Sequence, residues 1–269
     1  MTASTRGAAH EATDRPNQDA QGWRVLDPAR RLVIGAVADG HGHSRHFRSE
    51  QGARLAVEQG CDAAAAVVGT FDGLEADDQV AGAVRAELVD RVVDRWSRAV
   101  AEDHDRRPFN PEEEAVRAMY DDEVAIAYGS TLLLLVLLPR WVVVAQIGDG
   151  DVVALHADGS VAVPVPVDPS LDGHYTTSLC QPGAADSFRV AVLDRSETPV
   201  LGMLAATDGF GNAQAAEPWQ DAVGTDLSEM LRSKGTGWVR DRLGSWTEQC
   251  ASSDGSGDDT TVLLAVADR

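Results

Sequence analysis

The chain has 269 residues, 43% hydrophobic and 25% charged, enough apolar material for a substantial core, which excludes a wholly disordered protein. Its 43 acidic and 23 basic residues leave a formal charge of −20. Such a surface repels nucleic acid and anionic membranes, and it would repel phosphate-bearing molecules too unless arginine or bound metal stood in the site.

Cys61, Cys180 and Cys250 are far apart and form no CxxC pair. Neither a disulfide framework nor a zinc knuckle is expected, and a reducing cytoplasm fits. The start, Met1-Thr2-Ala3-Ser4, is polar and does not read as a signal peptide. The most apolar region, 132–147, is interrupted by Pro139-Arg140, and neither half reaches the ~20 residues of a spanning helix.

Residues 1–22 are polar, with Arg15-Pro16-Asn17-Gln18-Asp19 at their centre. Two short strands are predicted over 23–26 and 31–37, joined by a turn at Asp27-Pro28. An acidic loop, Asp39-Gly40-His41, follows. A partly buried helix is predicted over 45–59, while 61–78 is ambiguous. Apolar residues recur on one stripe from 80 to 100, predicting a second helix. Asn110-Pro111 followed by three glutamates is a helix start, with the helix running to about residue 127. The runs 132–138 and 141–147 lack polar alternation and read as strands buried on both faces. Strand 152–156, a hairpin turn at Asp158-Gly159 and strand 161–163 come next. Residues 164–186 are rich in Pro, Gly, Ser and Thr and are expected to form a mobile flap. Strands are predicted over 188–193 and 199–206, two helices between 219 and 250 broken at Lys234-Gly235, a flexible loop over 252–257, and a last strand over 262–267. No linker splits the chain, so a single domain over 1–269 is expected.

Asp39, Asp149 and Asp208 each follow an apolar strand and precede glycine, and Asp258 precedes a strand. Any one of these is a common turn signal. As a set they are more informative, because strand ends in a packed sheet can converge on one rim. Converging carboxylates repel each other, and desolvation raises their pKa values unless cations neutralise them. Hard ions with oxygen ligands, Mg²⁺ or Mn²⁺, are the natural partners. Two such ions about 3.5–4 Å apart would activate a bridging water and clamp a phosphoryl group.

Six stretches occur in a shared order: Gly7-Ala8-Ala9-His10 with Pro16-Asn17-Gln18-Asp19-Ala20, Val37-Ala38-Asp39-Gly40-His41-Gly42, Tyr128-Gly129-Ser130-Thr131, Ile147-Gly148-Asp149-Gly150-Asp151, Ala205-Ala206-Thr207-Asp208-Gly209-Phe210, and Gly257-Asp258-Asp259-Thr260-Thr261-Val262. With them the chain resembles the metal-dependent protein phosphatase family, type 2C, most closely its bacterial members with a Gln-Asp first motif. The resemblance implies an α+β fold, a four-layer α-β-β-α sandwich of two antiparallel sheets flanked by helices.

It also implies a serine/threonine protein phosphatase that hydrolyses phosphoserine and phosphothreonine by attack of a metal-bridged water, with two Mn²⁺ or Mg²⁺ ions and a weaker third. Asp39 would bridge the ions and Gly40 would lend its carbonyl. Asp19 would ligate one ion, and Asp208 and Asp258 the other. Asp149 would join Asp208 at the third, and His41 would be the general acid. The family's phosphate-binding arginine lies upstream of the first motif. Arg15 is the nearest candidate at a compressed spacing, and His10 either lines the site or stabilises a turn. Gln18, His43 and Gly150 depart from the family's usual residues. Asp259 is expected to orient the final loop, Ser130 and Thr131 to fix a strand start, and Asp151 to lie on the surface. A phosphoprotein substrate and a cognate Ser/Thr kinase are the implied partners, in the cytoplasm, with neither nucleic acid nor membrane. The alternatives are a phosphatase-like regulatory or phosphoprotein-binding domain with weak catalysis, and a hydrolase of small phosphorylated metabolites.

Overall fold

The computed structural model describes the chain except for residues 30–31, 72, 121–122, 167, 169–170, 172–174, 216–217 and 268–269. In chain order the strands are β1 (Thr2–Thr5), β2 (Ala20–Asp27), β3 (Leu32–Ala38), β4 (Leu132–Leu137), β5 (Trp141–Ile147), β6 (Asp151–His156), β7 (Val161–Ala162), β8 (Arg189–Asp194), β9 (Val200–Ala206) and β10 (Thr260–Val266). The helices are α1 (Ala8–Ala12), α2 (Ser49–Val67), α3 (Asp77–Ala83), α4 (Asp90–Arg106), α5 (Pro111–Tyr120), α6 (Asp208–Gly211), α7 (Trp219–Ser233) and α8 (Thr236–Ala251). Two five-stranded sheets form among the described residues, ordered β1-β10-β9-β6-β7 and β2-β3-β4-β5-β8, with every pairing antiparallel.

The unbroken apolar runs explain the layering. Successive side chains on a strand point to opposite faces. On β4, Leu132, Leu134 and Val136 join a core with helices α2 and α4, while Leu133, Leu135 and Leu137 fill the space between the sheets. On β9, Met203 and Ala205 face that same inter-sheet space, and Leu204 and Ala206 pack with α7 and α8. The result is the expected α-β-β-α sandwich, because both faces of the central strands have an apolar layer to meet.

Several boundaries differ from the sequence expectation. The polar start contains β1 and α1. β1 is Thr-rich and pairs β10 in the register Thr2↔Leu263, so its partner is at the far end of the chain. The ambiguous segment 61–78 begins as a continuation of α2, whose Cys61, Ala63, Ala64 and Val67 are buried. The helix predicted over 80–100 is α3 and α4 joined by a π-helical stretch, Val84–Val89, and the third helix gives way to a 3₁₀ segment, Val124–Tyr128. Within the expected flap, 167, 169–170 and 172–174 lie outside the described residues. Its later part is pinned: Thr177, Ser178 and Leu179 are buried, and the Thr177 hydroxyl accepts a hydrogen bond from Gly148 N–H at 2.8 Å.

Candidate active site

Register brings the aspartates together. Ala20 pairs Ala38, so the start of β2 lies beside the end of β3. Leu132 pairs Ile147, which puts the end of β5 at the same rim. In the facing sheet Ala206 pairs both Asp151 and Val262, so the end of β9 meets the starts of β6 and β10. Asp19, Asp39, Asp149, Asp208 and Asp258 therefore all leave the sandwich at one end.

Their mutual influence is visible in their acidity. Asp39 is raised well above the ordinary carboxylate range, first by burial and then by Asp19, Asp208, Asp149 and Asp258. Burial also raises Asp19 strongly, against hydrogen bonds from Thr207 and Thr261. Asp208 is pushed up to about 6 by burial, then by Asp149 and Asp258.

Backbone hydrogen bonds hold the loops. Asp39 N–H donates to Thr131 Oγ1 at 2.9 Å, and Thr131 N–H donates to Asp39 O at 2.8 Å. Thr131 thus fixes the bearing of Asp39, as expected of a residue at a strand start. Thr207 ties the two sheets across the site: its hydroxyl donates to Asp19 Oδ2 at 2.7 Å and accepts from Thr261 N–H at 3.0 Å. Asp259 is the anchor of the first motif. Its buried carboxylate accepts from Gly7 N–H at 2.7 Å, from Gln18 N–H at 2.6 Å and from His10 Nδ1 at 2.8 Å. His10 lines the aspartate cleft with that ring nitrogen committed to Asp259.

Gly40 is wedged between β2 and α2. A Cβ there would stand 2.6 Å from Ser49 O and 2.7 Å from Gln18 O. Gly150, where the family often has serine, has the same cause: a Cβ would meet Ala206 O at 2.8 Å.

Three residues have surroundings that their motifs do not indicate. Arg15 does not line the cleft that holds Asp39 and Asp258. It lines a neighbouring groove across the 41–46 loop and donates to Gly42 O at 2.8 Å. The short α1 and the turn after it take up the residues between Gly7 and Arg15, and the arginine swings out with them. Asp151 is not a free surface residue. It is half-buried, accepts from Gln220 Nε2 at 3.1 Å, and is pushed up to about 6 by burial. His41 is held neutral: burial and then the neighbouring His46, with ring centroids 4.9 Å apart, lower its pKa to about 3.

Two arginines that the sequence did not single out support the site. Arg189, half-buried beside Asp149 and Asp151, donates to Gly148 O and to Pro166 O, steadying the Asp149 loop. Arg48 binds Glu113 through two N–H groups and also reaches Tyr128 Oη and the carbonyls of Arg107 and Pro108. Neither position carries a local signal, since each acts through partners remote in sequence.

The family model for protein phosphatase 2C matches residues 6–248. The chain belongs to the protein phosphatase 2C family, the metal-dependent serine/threonine phosphoprotein phosphatases. Solved structures share its fold. The Staphylococcus aureus serine/threonine phosphatase Stp1 is 13% identical, with a TM-score of 0.62 over 100% of this chain and 94% of that one. The Mycobacterium tuberculosis phosphatase PstP/Ppp is 17% identical, with a TM-score of 0.55 over 100% and 98%. The catalytic domain of PstP in complex with two manganese ions is 16% identical, with a TM-score of 0.52 over 100% and 97%. No curated protein matches the chain.

The donor set fits hard divalent ions. All five aspartates offer oxygen only, and Asp19 Oδ1 is buried without a hydrogen-bond partner. Among the described residues, however, no three His, Cys, Asp or Glu side chains close tightly enough to hold one ion as they stand. When ionised, a rim of mutually repelling, desolvated carboxylates is stabilised by cations among them.

Proposed function

We propose that the aspartate cleft hydrolyses phosphoserine and phosphothreonine in a protein substrate. The observation that carries this reading is the convergence of five acidic strand ends on one rim, with Asp39 influenced by the other four. Asp19, Asp39, Asp208 and Asp258, with the Gly40 carbonyl, would hold two Mn²⁺ or Mg²⁺ ions, and Asp149 would join Asp208 at a weaker third. The manganese pair in the PstP catalytic domain supports that count. When bound, such ions supply an activated water and neutralise the phosphoryl oxygens.

The chain's own residues do the rest. Thr131 and Thr207 fix the bearings of Asp39 and Asp19. His10, oriented by Asp259, lines the cleft. His41 is neutral in the free protein, so it does not arrive as an acid. A phosphate dianion beside it opposes the effect of burial and favours the imidazolium, which then delivers its proton to the departing alkoxide. A cytoplasmic phosphoprotein, opposed by a Ser/Thr kinase, is the proposed partner. The three free cysteines support that compartment, and among the described residues no helix is long and apolar enough to cross a membrane.

The test is release of phosphate from a phosphothreonine peptide in Mn²⁺ and in EDTA, against a panel of phosphorylated metabolites. Turnover of the peptide in Mn²⁺ alone is expected. Metal-replete protein that binds the peptide without turnover, or that prefers metabolites, would overturn the reading.

His41→Ala separates proton donation from metal binding. On the peptide, whose alkoxide leaves poorly, kcat should fall about 10²-fold, the lower end for general acid catalysis. On p-nitrophenyl phosphate, whose leaving group needs no proton, the fall should be much smaller, with the Mn²⁺ dependence unchanged. Equal losses on the two substrates would remove His41 from the role.

A further inference from the structure

The segment that departs most from the family pattern, Arg15 to Gln18, lies against an opening that Asp39 and Asp258 do not line. It forms part of a groove of about 700 Å³ on the far side of the 41–46 loop, with Gly42, Arg54, Arg107 and Glu113 among its walls. The groove and the aspartate cleft share Gly42, His43 and His46, so one begins where the other ends.

Its charge is unusual for this molecule. On a chain of net charge −20, four arginines line one opening, Arg15, Arg48, Arg54 and Arg107, against Glu50 and Glu113. Arg48 is fully engaged, taking up Glu113 through two N–H groups, and serves as wall. Arg54 pairs with Glu50, but its side chain is 62% exposed, and such surface pairs exchange readily. Arg107 pairs with Asp103 at 2.5 Å and is 60% exposed. The guanidinium of Arg15 makes one hydrogen bond among the described residues, to the uncharged Gly42 carbonyl. Cationic donors therefore remain for a ligand.

Gln18 supplies the independent observation. It is 9% exposed and its Nε2 donates to Ser49 Oγ at 2.5 Å, but its Oε1 is buried with no partner. A buried acceptor without a donor is costly, and here it belongs to a residue that lines the groove. Turned towards the groove, that oxygen would accept from a ligand's peptide N–H.

We propose that this groove is a substrate subsite. It takes an anionic side chain, a carboxylate or a second phosphate, on the same phosphoprotein whose phosphorylated residue occupies the adjoining cleft. The subsite rests on the phosphatase reading above. Arg15, Arg54 and Arg107 bind the oxyanion, and Gln18, its amide turned outward, accepts from the backbone that carries it. Acidic flanks would thereby guide a substrate onto a protein whose overall charge repels it.

The experiment measures kcat/KM in Mn²⁺ for three phosphothreonine peptides, with alanine flanks, glutamate flanks or a second phosphoserine. p-Nitrophenyl phosphate, too small to span both openings, is the control. The anionic peptides should be preferred about fivefold to tenfold, through KM, as charge-assisted hydrogen bonds to exposed arginines predict. Arg54→Glu and Arg15→Glu should each remove or reverse that preference, and Arg54→Glu should leave p-nitrophenyl phosphate turnover unchanged. The ratio of the two anionic peptides identifies the oxyanion. A wild-type protein indifferent to flanking charge, or a preference that survives both substitutions, overturns the subsite. Absence of turnover on every substrate, the control included, would instead reject the phosphatase reading. Anisotropy of the labelled peptides then reads the groove directly, and equal affinity for alanine and glutamate flanks rejects it.

Discussion

Asp39→Asn is expected to abolish turnover while leaving the fold intact. All four other aspartates of the cluster raise this carboxylate, as expected of a group at the centre of the charge distribution. Altering residues that merely support a metal ligand typically costs about 10–100-fold in affinity or activity, so replacing the shared ligand should cost at least about 10²-fold in kcat/KM. Structure should survive because the loop is held through its backbone. Asp39 N–H and O are both engaged by Thr131, and Gly40 N–H donates to Gln18 O at 3.2 Å. Asparagine keeps the volume and removes a desolvated charge, so the metal-free variant should melt no lower than wild type at pH 8. Phosphate release with saturating Mn²⁺, together with thermal melts in EDTA, checks both halves. A variant that retains a tenth of wild-type turnover would displace Asp39 from the bridging position.

The site was legible in the sequence to the extent that chemistry sits at strand ends. An apolar run stopping at Asp-Gly marks the end of β3 or β9 without any knowledge of partners, and several such marks in one order define a family. What the sequence left dark depends on pairing. β1 has four polar or small residues and no hydrophobic pattern, and it becomes a strand because β10, some 260 residues away, offers it a ladder. Asp151 reads as surface beside Gly150, but Gln220 from α7 closes over it. Arg15 is within reach of Asp19 by sequence, and only the path of α1 and its following turn carries it to the far side of the 41–46 loop. The low proton affinity of His41 comes from burial and from His46 packed against it, neither of which is written in Asp39-Gly40-His41. Local motifs thus identify the chemistry, while long-range contacts decide the acidity of each group and the face it serves.

Those acidities lead to the second large effect, a metal-dependent reversal of the pH profile of stability. Asp208 has a folded-state pKa of about 6 against an ordinary 3.8. A carboxyl raised on folding favours the folded state only while it is protonated. That advantage is complete below 3.8 and is lost as pH rises through 6, a swing of about 3 kcal/mol for this group alone. Asp19 and Asp39 shift in the same direction, so they add to the loss. Stripped of metal with EDTA, the protein should therefore melt lower at pH 8 than at pH 5.5. Mn²⁺ should do the opposite, since it binds the ionised carboxylates that destabilise the metal-free fold. At 100-fold excess over its dissociation constant it contributes about 2.7 kcal/mol. For a chain of this length that is a rise of roughly 5–10 °C in Tm at pH 8, shrinking towards pH 5.5 as protons compete for the same oxygens. Asp208→Asn in EDTA should flatten the pH slope and raise Tm at pH 8, because the amide never ionises. Differential scanning calorimetry across pH 5.5–8, with EDTA or Mn²⁺, measures each of these. If the metal-free protein were instead more stable at pH 8, the aspartates would have to be paired with cationic side chains, and the rim would not be a metal site.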